Sequence, residues 1–159
     1  MLALRPARPE EGAALTELCL RSKAVWGYDE AFLAACRKEL QPKADAIAHG
    51  WVQVVTIGET LAGVAEVSIE GETAHLEKLF VEPRFIGDGI GGRLMDWAVA
   101  QAASRGASRM VIESDPGAAG FYRRRGALDD GVAPSGSIPG RFLPRLVLPM
   151  PGFETARQM

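Results

Sequence analysis

Four glycines in six residues, Gly87-Asp88-Gly89-Ile90-Gly91-Gly92, are the part of this 159-residue chain that most directly implies chemistry. Glycine lets successive backbone N–H groups turn toward one point, and it lets a ligand approach without a Cβ in the way. A helical pattern begins at Ile90, so first-turn amides and the positive end of a helix dipole add to the same place. The combination is an anion site, most naturally for a phosphate or diphosphate. One glycine would serve a tight turn alone. Gly87, Gly89 and Gly92 also satisfy G-x-G-x-x-G, and Glu113 or Asp115 stands where a ribose-binding acid would sit, about twenty residues on. The context opposes a dinucleotide site: Pro83-Arg84-Phe85-Ile86 separates the loop from its strand, and too little chain follows Asp115 for the rest of a doubly wound domain. No Lys-Ser or Lys-Thr follows the glycines, which excludes a Walker-type loop.

The elements that must position this loop can be read from spacing. Leu15, Leu18 and Cys19 share a helical face. Asp29 can N-cap a second helix carrying Phe32, Leu33, Cys36 and Leu40, which Pro42 ends. Strands are expected over Leu2–Arg5, Trp51–Ile57, Leu61–Ile69 and Ala74–Val81, the last three forming a meander with turns at Gly58-Glu59-Thr60 and Glu70-Gly71-Glu72. The helix leaving the glycine loop places Ile90, Leu94, Trp97, Ala98 and Ala102 on one stripe and stops at Gly106. Arg109–Glu113 reads as a short buried strand. Asp115-Pro116 starts a helix bearing Phe121 and Tyr122 that ends before Gly126. Arg141–Leu148 is the last strand, and Pro144 makes it an edge or a bulged one. The order β-α-α-β-β-β-α-β-α-β gives an α+β (α/β mixed-sheet) fold with helices on both faces. One domain is expected over 1–150, followed by a C-terminal tail, 151–159.

Composition narrows the function classes. The chain is 47% apolar and 24% charged, which is globular rather than disordered. A net charge of −2 gives no electrostatic footprint for nucleic acid. No apolar run approaches the roughly 18 residues of a membrane span, and Met1–Pro9 has too few apolar residues for a signal-peptide core. No nucleic-acid or membrane partner is therefore expected. Cys19 and Cys36 make no disulfide framework and read as reduced core residues of a cytoplasmic protein. With only His49 and His75, and no clustered cysteines, no metal is expected.

Two stretches taken together carry a resemblance. Leu79-Phe80-Val81-Glu82-Pro83, then Ile86-Gly87-Asp88-Gly89-Ile90-Gly91 and Leu94, resembles the coenzyme A signature of the GNAT superfamily of N-acetyltransferases. Asp115-Pro116-Gly117-Ala118, then Phe121-Tyr122 and Gly126, is similar to that superfamily's later motif, and Leu4-Arg5-Pro6-Ala7 before an acidic helix start is similar to its opening. The resemblance covers roughly residues 1–127. Departures are Ile86 where Arg or Gln is usual, Asp88 where a basic residue is common, Asp115 in place of Asn and Ala127 in place of Phe.

The resemblance implies a GNAT-like acyl-CoA N-acyltransferase fold, a central, mostly antiparallel sheet flanked by helices, with acetyl-CoA as co-substrate. It also implies direct attack, in a ternary complex, by a primary amine of a small molecule or protein. Backbone groups of Leu79, Phe80 and Val81 would hold the pantetheine arm, and one N–H would polarise the thioester carbonyl. Gly87, Asp88, Gly89, Ile90, Gly91 and Gly92 would hold the diphosphate, and Asp115, Ala118 and Tyr122 would also touch the cofactor. Tyr122 would donate a proton to the departing thiolate. The base is left between Glu77 and Glu66, acting directly or through water, with His75 as a further option. Strand alternation puts Glu77 with His75, Leu79 and Val81, opposite Lys78 and Phe80. Trp26 and Tyr28 would wall the acceptor site. Arg141, ending the Pro134–Arg141 segment, would either bind a substrate carboxylate or form a surface salt bridge on an ordered hairpin loop. A homodimer is left open, and a non-catalytic acyl-CoA-binding or regulatory module is the alternative to an enzyme.

Overall fold

The computed structural model describes residues 1–150; the tail expected over 151–159 lies outside them. β1 (Leu2–Pro6) leads to α1 (Gly12–Ala24), whose Leu15, Leu18 and Cys19 are fully buried, as their spacing requires. The entry to α1 is fixed by charge. Arg5 donates two hydrogen bonds to the Glu11 carboxylate, at 2.9 and 2.7 Å, and Glu11 accepts the Arg8 backbone N–H at 2.8 Å. α2 (Glu30–Leu40) begins where Asp29 accepts the Phe32 N–H at 2.8 Å and buries Cys36 and Leu40 one turn apart. A short helix, α3 (Ala44–Ala48), follows with Ile47 buried. It is absent from the sequence reading, because five residues show too little periodicity to register.

β2 (Val52–Ile57), β3 (Thr60–Glu70) and β4 (Thr73–Val81) form the expected meander. α4 (Ile90–Ser104) follows the glycine loop, then β5 (Arg109–Glu113), α5 (Ala119–Arg124), β6 (Leu128–Pro134) and β7 (Phe142–Pro149). The strands are hydrogen-bonded in the order β1-β2-β3-β4-β5-β7-β6. β4 and β5 pair in parallel, whereas β1–β2, β2–β3, β5–β7 and β6–β7 pair antiparallel. This is the mixed, mostly antiparallel sheet that was expected.

Three readings of the C-terminal part need correction. β6 was not expected at all. Its sequence, Leu-Asp-Asp-Gly-Val-Ala-Pro, lacks apolar alternation, because only Ala133 is buried. β7 is not an edge strand, since it pairs with β5 on one side and β6 on the other. Pro144 is tolerated there opposite Val132, just past a register shift between Asp129 and Val132; the extra residue lies in β6, so the irregularity expected of the last strand sits in its partner. β7 runs to Pro149, one residue past the expected end at Leu148.

The chain groups into two compact units. Among the described residues, one comprises Met1–Glu66 and Lys78–Ala98; the other comprises Val67–Glu77 and residues 99–150. In the first, Val55, Ala62, Ala65, Ile90 and Leu94 make a buried cluster against which Leu79, Val81 and Phe85 pack. Gly63 lets α4 lie that close, because a Cβ there would meet Ile90 Cγ2 at 2.8 Å and Leu94 Cδ1 at 2.9 Å. In the second, Met110, Ile112 and Leu146 are buried to 1% exposure or less.

Candidate active site

In the first unit, β4 delivers the segment Leu79–Val81 to the glycine bend. Its parallel ladder with β5 runs from Thr73 opposite Arg109 to Leu76 opposite Ile112, while β4 itself continues to Val81. The main chain of Leu79–Val81 thus lies beyond the last rung of that ladder, where an extended arm could be received as a further strand would be. On the other side the strand is held: the Glu82 N–H donates to the Ala62 carbonyl at 2.8 Å.

A 3-10 turn at Pro83–Phe85 then leads into the bend. Gly87 and Gly89 have φ of +95° and +80°, and a Cβ at either would meet nothing within 4 Å. Backbone conformation, not lack of room, is what demands glycine there. The amides do not all converge. The Asp88 N–H donates to the Phe85 carbonyl at 3.2 Å, which withdraws one donor that the sequence reading assigned to the anion. Asp88 is exposed, as a carboxylate beside an anion site must be. Ile90 is 1% exposed and belongs to the core, so only its main chain faces the task assigned to it. Gly91 and Gly92 open the first turn of α4 and are half-buried. The bend therefore fits an anion through the start of α4 and its flanking glycines, rather than through all six residues.

The two candidate bases stand apart in character. Glu66, in the first unit, is 1% exposed; its Oε1 lies 3.5 Å from Lys78 Nζ and accepts the Lys43 backbone N–H at 3.3 Å. A carboxylate so enclosed and paired is not presented to an acceptor. Glu77, in the second unit, is exposed and accepts a 2.7 Å hydrogen bond from the Ser68 hydroxyl. β4 buries Ala74, Leu76 and Lys78 and leaves Glu77 outward, which bears out the expected alternation. His75 Nε2 lies 3.6 Å from Glu70 near the hairpin turn.

Also in the second unit, Tyr122 is 6% exposed, and burial pushes its phenol well above the ordinary range, so it keeps its proton at neutral pH. Asp115 accepts the Gly117 N–H at 3.1 Å and caps the turn that leads through Ala118 into α5. Its other oxygen is 3.7 Å from Arg141. Arg141 therefore stands beside a carboxylate of its own chain, on a loop ordered by Ser135 Oγ, which accepts the N–H groups of Ser137 and Ile138 at 3.2 and 3.1 Å. This is the ion pair that one of the two readings of Arg141 expected, with both side chains largely covered rather than on the surface.

At the turn from α1 to α2, in the first unit, Trp26 is 49% exposed. Tyr28 stacks on Phe32 at 4.0 Å, with Lys23 over its ring at 5.4 Å. Of the two expected wall residues, Trp26 is open to solvent, and Tyr28 is half-buried between Phe32 and Lys23. Cys19 and Cys36 are buried and free. Burial, offset by nearby Lys78, pushes the Cys19 thiol up to about 12. Among the described residues, no three His, Cys, Asp or Glu side chains gather to hold a metal ion, and no helix is long and apolar enough to cross a membrane.

Two features went unread in the sequence. Arg21 binds Glu82 through three hydrogen bonds of 2.8–3.1 Å, beside a hollow of about 290 Å³ that none of the sequence-predicted site residues lines. Lys78, noticed only for the face it occupies, is buried against Glu66. No local sequence signal marks either pair. The glycine inside β3, at Gly63, was a legible sign of close backbone approach.

A model of the Acetyltransferase (GNAT) family matches residues 15–127. The chain belongs to that family. This acetyltransferase is 32% identical over 129 residues to the peptidyl-lysine N-acetyltransferase YjaB of Salmonella typhimurium, an alignment covering 79% of this chain and 83% of the relative. It shares its fold with the PaiA N-acetyltransferase of Thermoplasma acidophilum, solved in complex with coenzyme A, at a TM-score of 0.78 and 18% identity over 94% of this chain and 99% of that one. It shares it also with YncA of Salmonella typhimurium, solved with acetyl-CoA, at a TM-score of 0.63 and 22% identity over 94% of each chain. Family membership makes it an acetyl-CoA-dependent N-acetyltransferase with an amine as acceptor.

Proposed function

We propose that residues 1–150 act as one acetyltransferase domain that transfers an acetyl group from acetyl-CoA to a primary amine, with a lysine side chain of a peptide or protein as the first acceptor class to test. The observation that carries the cofactor half is the run of β4 past the end of its ladder with β5, followed after the Pro83–Phe85 turn by a glycine bend at the start of a long helix. The acceptor half is supported by the peptidyl-lysine relative and by the exposed Trp26 at the turn from α1 to α2. Reduced, buried Cys19 and Cys36 fit a cytoplasmic setting.

Acetyl-CoA, when bound, supplies an activated acyl group. The chain's own residues do the rest. Main-chain N–H groups of Leu79–Val81 orient the arm and aim one donor at the carbonyl oxygen, a preorganised dipole where negative charge develops. The start of α4 offers N–H groups and its dipole to the diphosphate. Glu77, exposed and oriented by Ser68, removes the proton from the acceptor's ammonium. Tyr122, protonated at neutral pH like any phenol and made a weaker acid by burial, would donate its proton to the departing sulfur as that sulfur becomes a thiolate.

A thiol-release assay across small polyamines, amino acids and lysine-containing peptides tests the reading. Turnover with peptides and none with amino acids is the expected result; no thiol release with any amine would leave only the non-catalytic acyl-CoA-binding module. In the same assay Tyr122→Phe is expected to cut turnover at least about tenfold with little change in acetyl-CoA affinity. Unchanged turnover would remove Tyr122 from the mechanism.

A further inference from the structure

The two side chains of the Glu66–Lys78 pair are 1% and 3% exposed and meet at 3.5 Å. A buried ion pair is poor evidence for stability, since apolar residues of similar volume commonly serve as well or better. Its position suggests another use. Lys78 is the residue immediately before Leu79, and it lies two residues past the last rung that β4 shares with β5, at Leu76. Over that stretch β4 has its β3 neighbour, and there the Glu66 side chain on β3 reaches Lys78 while also accepting the backbone N–H of Lys43, just ahead of α3. Side-chain charge thus ties β4 to β3 and to the α2–α3 connection where main-chain ladder bonding on the other edge has ended.

We propose that Glu66 and Lys78 are a positioning pair that holds the Leu79–Val81 edge in the geometry needed to receive and polarise the acyl-CoA arm. The inference rests on the acetyl-CoA reading of that edge. The pair touches no reactant. It fixes a strand whose free edge must stay open, which a β5 ladder cannot do without closing the site.

The test is the double variant Glu66→Leu/Lys78→Met, which removes both charges and keeps the volume. It is expected to melt no lower than the parent. Its kcat should fall at least about tenfold and its KM for acetyl-CoA should rise. Parent-like kcat and KM in a folded double variant would overturn the proposal. If that variant does not fold, Glu66→Gln is followed by amide hydrogen exchange. Acceleration confined to residues 78–82 supports the pair's role, and exchange there no faster than in the parent overturns it. Calorimetry of the parent with acetyl-CoA is run alongside. A parent that binds none defeats the cofactor reading, whereas a parent that binds while the variants behave like it defeats only the positioning pair.

Discussion

The segment Leu79–Val81 is flanked by two ion pairs made in opposite ways. Arg21–Glu82 has the better geometry, with three hydrogen bonds of 2.8–3.1 Å, but the Arg21 side chain is 53% exposed. Glu66–Lys78 has a single 3.5 Å contact and almost no exposure. Water screens the first and offers its charges a good alternative, so breaking it costs little. The second has no such alternative. Removing one partner strands the other in a low-dielectric interior. Contact length alone would rank the two pairs wrongly; burial decides which one cannot be halved. A third pair, Arg5–Glu11, lies between them, at 28% and 13% exposure.

The largest effect should come from Lys78→Met alone, which leaves Glu66 buried without its cation and lowers unfolding free energy by about 3–5 kcal/mol. A denaturant titration measures it, and a midpoint equal to the parent's would break the comparison. The intermediate pair gives a pH signature. The Arg5 hydrogen bond is the main cause holding the Glu11 carboxyl below its ordinary value. A group with a lowered folded pKa stabilises the protein above its unfolded pKa and loses that stabilisation as pH falls through the folded one. Parent stability should therefore drop below the ordinary carboxylate range, by about 1 kcal/mol from this group. Glu11→Gln should lack that part of the drop in an acid titration. The smallest effect is expected from Arg21→Ala, about 0.2–1 kcal/mol and vanishing in high salt. A deficit that persisted at high salt would mean that Arg21–Glu82 behaves as a buried pair.

The same contrast explains what the sequence disclosed. The Asp29 cap, the glycine bend and the alternation of β4 are local patterns, and each was legible because its cause lies within a few residues. The Glu66–Lys78 pair depends on how β3 lies against β4, and a buried lysine is what residue type argues against. Strand β6 was missed because Leu128, Asp129, Asp130 and Val132 are all exposed, so burial left no period to read. Among site residues, the bend was anticipated from glycine chemistry. The engagement of the Asp88 amide by Phe85, and of Arg141 by Asp115, depended on chain geometry that the motifs do not encode.

The central claim is that main-chain donors at the start of α4 hold the diphosphate of acetyl-CoA. Titrating the parent protein by calorimetry with acetyl-CoA and with S-acetylpantetheine, which has the same thioester arm and no diphosphate, tests it directly. Acetyl-CoA should bind at least about a hundredfold more tightly, roughly 2.7 kcal/mol. Equal affinity for the two would contradict the account.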